Sequence, residues 1–142
     1  MTVVLDDHLL RDWLARRDDA LVQALARESV ATTNLWYARL CKSAARAPEG
    51  ALLRGWGIAE RRALISGLIA LPDDIAVVPM HELAWTMGEL VADFSGLSTL
   101  GAEAVAATRE LDARLLVSAR DDGPGIRQCC VDLGIGYETL DR

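Results

Sequence analysis

The sequence predicts an α/β protein, a three-layer α/β/α sandwich around a central parallel sheet. Short apolar runs alternate along the chain with longer stretches of helical periodicity, and this order is typical of βαβ units. A run such as "VVL" at the start of the chain is typical of a strand that is buried on both faces. The chain has 142 residues, 51% of them hydrophobic, which suits one domain over residues 1–142 with its own core.

The first half of the chain divides into strands and helices with recognisable ends. Thr32 or Thr33 can cap the longest of these helices, and "PEG" after Ala47 ends it. The predicted elements are a strand at Val3–Asp6, a helix through "DDHLLRDWLARR", a short helix opened by Asp18 and Asp19, a strand at Ser29–Ala31 and a helix over Asn34–Ala47.

The second half continues the alternation. "ALLRGWGIAERRALISGLIAL" is predicted as one helix that Gly55, Gly57 and Gly67 weaken and Pro72 ends. The remaining elements are a strand at "IAVVPM", helices at "HELAWTMGELVADF" and "GAEAVAATREL", a strand at "ARLLVSA" and a last strand at "GIGYETL". The residues of "DGPG", from Asp122 to Gly125, suit a tight turn.

The charge of the chain argues against non-specific binding of nucleic acid by the whole molecule. The formal net charge is -6 and the pI is about 4.8, so the average field repels phosphates. Arg39, Lys42 and Arg46 nevertheless recur at helical spacing. They form either a solvated helix face or a local stripe that contacts RNA or a protein partner.

Composition and motifs exclude several classes of protein. No stretch has the apolar length of a membrane span or the pattern of a signal peptide, so we expect a cytoplasmic protein that does not enter a membrane. Cys41, Cys129 and Cys130 lack zinc or redox spacing and are expected to be thiols in the core. His8 and His81 are isolated, which leaves a zinc peptidase unsupported.

The tryptophans divide into two expected groups. Trp13 and Trp85 lie on apolar helical faces and are predicted to be buried in the core. Trp36 and Trp56 lie near arginine-bearing stretches. They are either core or dimer contacts, or they line a groove where they meet a partner or stack on bases.

The stretch "VVLDD" gives the first candidate for a functional site. In parallel sheets, ligands lie just beyond the carboxyl ends of the strands, and Asp6 comes at the end of the first strand. A carboxylate in that place is a candidate ligand for a metal ion.

The order of motifs resembles the PIN domain family, in particular its small VapC-type toxins. "VVLDDHLL" matches the family's apolar strand followed by an Asp, with Asp6 in the key position. "IAVVPMHELAWTMGELVADFSGLSTLGAEAVAATRELDARLLVSARDDGPG" follows the family's later order of strand, Pro, helix, "LS" and Ala-rich helix. The resemblance covers nearly the whole chain.

The resemblance implies a magnesium- or manganese-dependent ribonuclease in which three or four carboxylates converge on the metal. It also implies a homodimer and, for a member of a toxin–antitoxin pair, an antitoxin that lies in a helical groove.

The chain departs from the family pattern at two of the expected acids. Gly101 stands where an acid should begin the Ala-rich helix. Glu103 lies two residues further along the helix, so its side chain should point away from the face that Gly101 occupies. It is expected to be a solvated acid, and the alternative is that it replaces the lost ligand. The helix after Thr33 has Tyr37 or Ala38 in place of a Glu. Asn34, one turn upstream, offers an amide oxygen but is more simply a turn residue.

The third departure follows the strand that ends at Ser118. Arg120 occupies the expected acid position, and carboxylates arrive one and two residues later, at Asp121 and Asp122. Either a small shift of the loop brings Asp121 to the site, or these residues only form the turn.

Asp6 and Asp7 could each have a structural role instead of binding a metal ion. Asp7 is predicted to cap the following helix. Asp6 could be held by Ser118 or by backbone amides, and an inward Arg120 would supply the positive charge of the missing metal ion.

Two functional hypotheses follow from these observations. The first is a PIN-like protein with a degenerate metal site that binds RNA or a protein partner without efficient nuclease activity, with Arg39, Lys42 and Arg46 as contacts. The second is an active Mg²⁺- or Mn²⁺-dependent ribonuclease of the VapC toxin type. It would use Asp6 and Asp121 as catalytic residues, with Asp122 as a further ligand or an unrecognised acid such as Asp93.

Overall fold

The computed structural model describes residues 1–46 and 51–141. The strands are β1 (Thr2–Leu5), β2 (Ser29–Thr32), β3 (Ile75–Val77), β4 (Arg114–Ser118) and β5 (Tyr137–Leu140). The helices are α1 (Asp7–Leu14), α2 (Asp19–Ala24), α3 (Asn34–Ala45), α4 (Ile58–Ile69), α5 (Met80–Asp93), α6 (Thr99–Glu110) and α7 (Pro124–Leu133), with a short 3-10 helix at Ala51–Leu53.

The described strands form one parallel sheet in the order β3-β2-β1-β4-β5. β1 lies at its centre, where Leu5 pairs with Thr32 of β2 on one side and with Leu116 of β4 on the other. The chain first builds outward through β2 and β3 and then crosses to β4. This reversal makes the carboxyl ends of β1 and β4 the place where open α/β sheets bind their ligands.

Helices cover both faces of the sheet, which confirms the predicted three-layer α/β/α architecture. Side chains alternate along β1, so Val3 and Leu5 pack against the helices on one face, with Leu40 of α3 among their buried neighbours. Val4 packs on the other face with residues of α5, α6 and α7, including Leu83 and Val105. The described helices include none that is long and apolar enough to cross a bilayer.

Several predicted boundaries need correction. The helix predicted over residues 51–71 is divided, because Gly55 adopts φ +81° and Gly57 begins α4 as its N-cap. The predicted stop at "PEG" lies outside the described residues. The segment read as a turn from Asp122 to Gly125 instead begins α7, with Gly123 as N-cap and Pro124 at the first helical position.

The tryptophans do not divide as predicted. Trp85 is 80% exposed on α5, so its assignment to the core was wrong. Trp13 is half-buried and only packs against the edge of the core. Trp36 and Trp56 are both buried, which places them in the core and leaves neither free to stack on bases. Cys129 and Cys130 are buried thiols as expected, and Cys41 is half-buried.

Candidate acidic site and cationic pocket

Asp6 is fixed at the end of β1 by hydrogen bonds from both neighbouring segments. Its Oδ1 accepts the backbone N–H of Leu9 at 2.9 Å, so Asp6 and not Asp7 is the N-cap of α1. Its Oδ2 accepts from the backbone N–H of Ser118 at 2.7 Å and from the Ser118 hydroxyl at 2.6 Å. Burial raises the pKa of Asp6, and the three hydrogen bonds lower it because they favour the carboxylate. Burial is the larger effect, so the pKa is about 7. Asp6 is therefore held by Ser118 and by backbone amides, as the structural alternative predicted.

Asp7 is fully buried and takes part in an ion pair instead of a helix cap. Arg39, on α3, donates to its Oδ2 through Nε and to its Oδ1 through Nη2, the latter at 2.9 Å. His8 Nδ1 lies 3.0 Å from the same Oδ1. This two-pronged arrangement is the geometry in which a guanidinium binds a carboxylate most strongly.

Asp121 reaches the same cluster from the turn after β4. Both of its oxygens accept from Arg39 Nη2, at 2.6 and 2.7 Å, and Oδ2 lies 3.5 Å from His8 Nδ1. Burial would raise the pKa of Asp121, but the hydrogen bonds from His8 and Arg39 hold it well below its usual range. Arg39 thus joins the end of β1 to the turn after β4.

His8 is the second cation of the cluster. Burial would lower its pKa, but its hydrogen bonds to Asp121 and Asp7 and the charges of the neighbouring carboxylates raise it to about 9. The imidazole is therefore protonated at neutral pH. The hydrogen bonds to Asp7 likewise raise the pKa of Arg39.

We define the acidic cluster as Asp6, Asp7, His8 and Asp121. A ligand atom from each of these residues lies within 4.8 Å of the others, and carboxylate oxygens are suitable donors for Mg²⁺ or Mn²⁺. Both oxygens of every carboxylate, however, already accept hydrogen bonds from the protein. A divalent cation would also meet two positive charges, on Arg39 and His8. The donor set therefore fits a divalent cation only when Arg39 has left and His8 has lost its proton.

The other candidate ligands lie outside the acidic cluster. Asp122 binds Arg127 at 2.6 Å and accepts from Tyr137 Oη at 2.7 Å. Asp93 is exposed at the end of α5, and Arg120 is exposed, so the inward guanidinium belongs to Arg39.

Glu103 is buried, which contradicts the expectation of a solvated acid. It accepts from the backbone N–H groups of Asn34 and Leu35, at 2.9 and 2.8 Å, and from Asn34 Nδ2 at 2.6 Å. Asn34, the first residue of α3, also donates to the carbonyl of Val78 at 2.7 Å. Glu103 thus caps α3 from a distant helix. The two residues at the positions of the expected acids supply no carboxylate to the acidic cluster. Gly101 has no side chain, and the Tyr37 hydroxyl donates to the carbonyl of Leu68 on α4.

A cationic pocket opens beside the acidic cluster. It has a volume of about 540 Å³, and its lining residues are Asp7, His8, Arg11, Arg39, Ser43, Leu52, Arg54 and Arg120. Arg11 is held by the Leu52 carbonyl at 2.5 Å and by Asp12 at 2.9 Å. Arg54 and Arg120 are exposed and form no hydrogen bond or ion pair with a described residue.

The residues predicted to contact RNA or a partner separate in the structure. Arg39 turns toward the carboxylates, while Lys42 and Arg46 are exposed at and just after the end of α3. Sequence reasoning did not assign Asp7, His8 and Arg39 to one cluster. The "DDH" that follows a buried strand was a signal for the first two, whereas nothing local marks Arg39 as their partner.

Comparison with known proteins gives a fold but no family. No protein-family model matches the sequence, and no curated protein does. The fold is similar to that of a chain in the crystal structure of VapBC2 from Rickettsia felis bound to a DNA fragment from their promoter, with a TM-score of 0.62 and 14% sequence identity. The match covers 99% of this chain and 100% of that chain. The protein therefore has a PIN-like α/β/α fold, with an acidic cluster at the carboxyl ends of β1 and β4.

Proposed function

We propose that this protein is a PIN-like domain that binds RNA and does not cleave it efficiently. The observation that supports this proposal most strongly is the position of Arg39, whose guanidinium spans Asp7 and Asp121. A metal-dependent nuclease needs those carboxylates free to hold a cation that activates water. Here the protein's own guanidinium and protonated His8 balance their charge.

The cationic pocket supports a phosphate-bearing ligand. Arg39, Arg54 and Arg120 surround a space at the ligand-binding edge of the sheet, and protonated His8 adds to the positive charge. Guanidinium groups bind phosphate oxygens with two parallel hydrogen bonds. Exposed Lys42 and Arg46 would continue the contact along α3. RNA is preferred to DNA because of the resemblance to PIN domains.

Protein partners are a further part of the proposal. The neighbouring structure VapBC2 is a complex on promoter DNA, which supports an antitoxin-like partner for this chain. A homodimer and a cytoplasmic location also remain predictions.

Fluorescence anisotropy with a labelled single-stranded RNA tests the proposal. Binding should persist in EDTA and weaken with salt, and each of Arg54→Gln and Arg120→Gln should reduce the magnitude of the salt slope by about 0.7. Arg109→Gln is the matched control, because Arg109 is an exposed arginine on α6, outside the cationic pocket. Equal affinity of the wild type and of the Arg54→Gln/Arg120→Gln protein would contradict the proposal, and a labelled DNA of the same sequence tests the preference for RNA.

An active Mg²⁺- or Mn²⁺-dependent ribonuclease is the second candidate function. The observation that favours it is the approach of three carboxylates and an imidazole to within 4.8 Å. Asp6 and Asp121 would hold the metal ion, which would supply an activated water. This candidate predicts cleavage of RNA by the pure protein with Mn²⁺, and loss of cleavage in Asp6→Asn with the far-ultraviolet circular dichroism unchanged.

A further inference from the structure

Two guanidinium groups of the cationic pocket have no counter-charge among the described residues. Arg54 and Arg120 are both exposed and form no ion pair there. The other cations of the pocket are already engaged. Arg39 and His8 bind the carboxylates of the acidic cluster, and Arg11 is paired at 2.9 Å with the aspartate that follows it. The pocket therefore has two positive charges to offer to a ligand.

The engaged arginines still have hydrogen-bond donors to offer. Arg39 donates to its carboxylates through Nε and Nη2. Arg11 donates through Nε to the neighbouring aspartate and through Nη1 to the carbonyl of Leu52. Nη1 of Arg39 and Nη2 of Arg11 donate to no described residue. Since both side chains are held by their other bonds, an acceptor in the pocket meets donors that need no rearrangement.

The surroundings of the pocket favour a nucleic-acid strand in one direction only. A second hollow adjoins it and shares Arg11 and Arg54 with it. The other charged residues that line this hollow are Asp12, Arg17, Asp18 and Asp19. Three carboxylates thus match three guanidinium groups, and the hollow has no net attraction for a phosphate backbone. Along α3, in contrast, exposed Lys42 and Arg46 follow Arg39. The cationic pocket is therefore placed where a bound strand would end.

We propose that the cationic pocket binds a phosphate monoester at the end of an RNA strand, and that the strand continues from there along α3. This inference rests on the proposed function, because it requires that the pocket and α3 bind RNA. A phosphate monoester carries close to two negative charges at neutral pH, whereas each internal phosphodiester carries one. Arg54 and Arg120 match the dianion in charge, and its oxygens are suitable acceptors for Arg39 Nη1 and Arg11 Nη2.

Competition between three unlabelled RNAs of one sequence tests the inference. One RNA carries a 5′-phosphate, one a 3′-phosphate and one a hydroxyl at both ends. Each displaces a labelled RNA from the full chain, measured by fluorescence anisotropy in EDTA so that no metal-dependent cleavage interferes. We expect at least one phosphorylated RNA to bind about fivefold more tightly than the hydroxyl RNA, the upper range for one additional exposed ion pair. The comparison of the 5′- and 3′-phosphates identifies the end that enters the pocket.

Two double variants assign the preference to the pocket. Arg54→Gln/Arg120→Gln should bind the three RNAs with equal affinity, and the exposure of both side chains favours an intact fold. Lys42→Gln/Arg46→Gln is the matched control, because it removes two positive charges of α3 outside the pocket. It should weaken the binding of all three RNAs by the same factor and keep the preference.

The outcomes separate this inference from the proposed function. Equal affinity of the wild type for the three RNAs would overturn the inference and leave RNA binding intact. A preference that survives in Arg54→Gln/Arg120→Gln, or that disappears in the control variant, would also overturn it. Absence of binding of all three RNAs would overturn the inference and the proposed function together.

Discussion

Arg39 and Asp121 lie 82 positions apart in the sequence, and Nη2 of the arginine donates to both oxygens of the aspartate at 2.6 and 2.7 Å. The same nitrogen donates to Asp7 at 2.9 Å. One guanidinium therefore fastens α3 to the segments that follow two neighbouring strands, β1 and β4.

Loss of Arg39 should destabilise the fold. Removing one partner of a buried ion pair leaves the other charge without compensation, and the partial exposure of Arg39 reduces the cost to about 2–3 kcal/mol. We expect Arg39→Ala to lower the free energy of unfolding by that amount in urea denaturation, and Arg39→Lys to lower it less. Arg109→Ala should change it by less than about 0.5 kcal/mol. Equal stability of the two alanine variants would show that the ion pair does not stabilise the protein.

Stability should fall as the pH rises above neutrality. The pKa of His8 is about 9 in the folded protein and 6.5 as an ordinary value, so the unfolded chain loses this proton first. The stabilisation from protonated His8 is complete below pH 6.5 and disappears as the pH rises through about 9. In thermal melts across this pH range, the Tm of the wild type should fall as the pH rises, and the Tm of His8→Gln should fall less. An equal slope of Tm against pH in the two proteins would show that His8 does not cause this loss of stability.

Glu103 should be needed for stability even though it is remote from the acidic cluster. Glu103→Ala leaves three donors without their acceptor, two backbone N–H groups and Asn34 Nδ2, and should cost about 2–4 kcal/mol in urea denaturation. Glu103→Gln keeps one acceptor oxygen and should cost less. If Glu103 were instead a solvated acid, neither variant would lose stability.

Two tryptophans provide a matched test of the packing. Trp36 is fully buried and Trp85 is 80% exposed. Trp36→Ala should cost about 3–5 kcal/mol through lost burial and the cavity that it leaves, while Trp85→Ala should change the free energy of unfolding by less than about 0.5 kcal/mol. Similar losses in urea denaturation would mean that Trp85 packs against something, such as a second copy of the chain.

The fold was largely predictable because buried parallel strands have a local signature. The run at Val3–Leu5 is apolar throughout, and "RLLVS" at β4 is similar, so both strands were found. Helix α7 was missed because its start, "GPG", also suits a turn. Trp85 was misplaced because it lies two residues, about 200° around α5, from Leu83, whereas the buried stripe of that helix is Leu83, Met87 and Leu90.

The candidate site was predictable only in part. Asp6 could be placed at the strand end because its position follows from the preceding run. The partners of Arg39 could not be predicted from the sequence. Its bonds to Asp7 and Asp121 span 32 and 82 positions and depend on how α3 packs against the sheet. The capping of α3 by Glu103 likewise joins residues 68 and 69 positions apart.

Incubation of a labelled single-stranded RNA with the purified protein, in Mn²⁺ and in EDTA, distinguishes RNA binding from RNA cleavage, because native and denaturing gels then report both together. We expect shifted, uncut RNA in both conditions. RNA fragments that require Mn²⁺ and disappear in Asp6→Asn would contradict it and establish a metal-dependent ribonuclease.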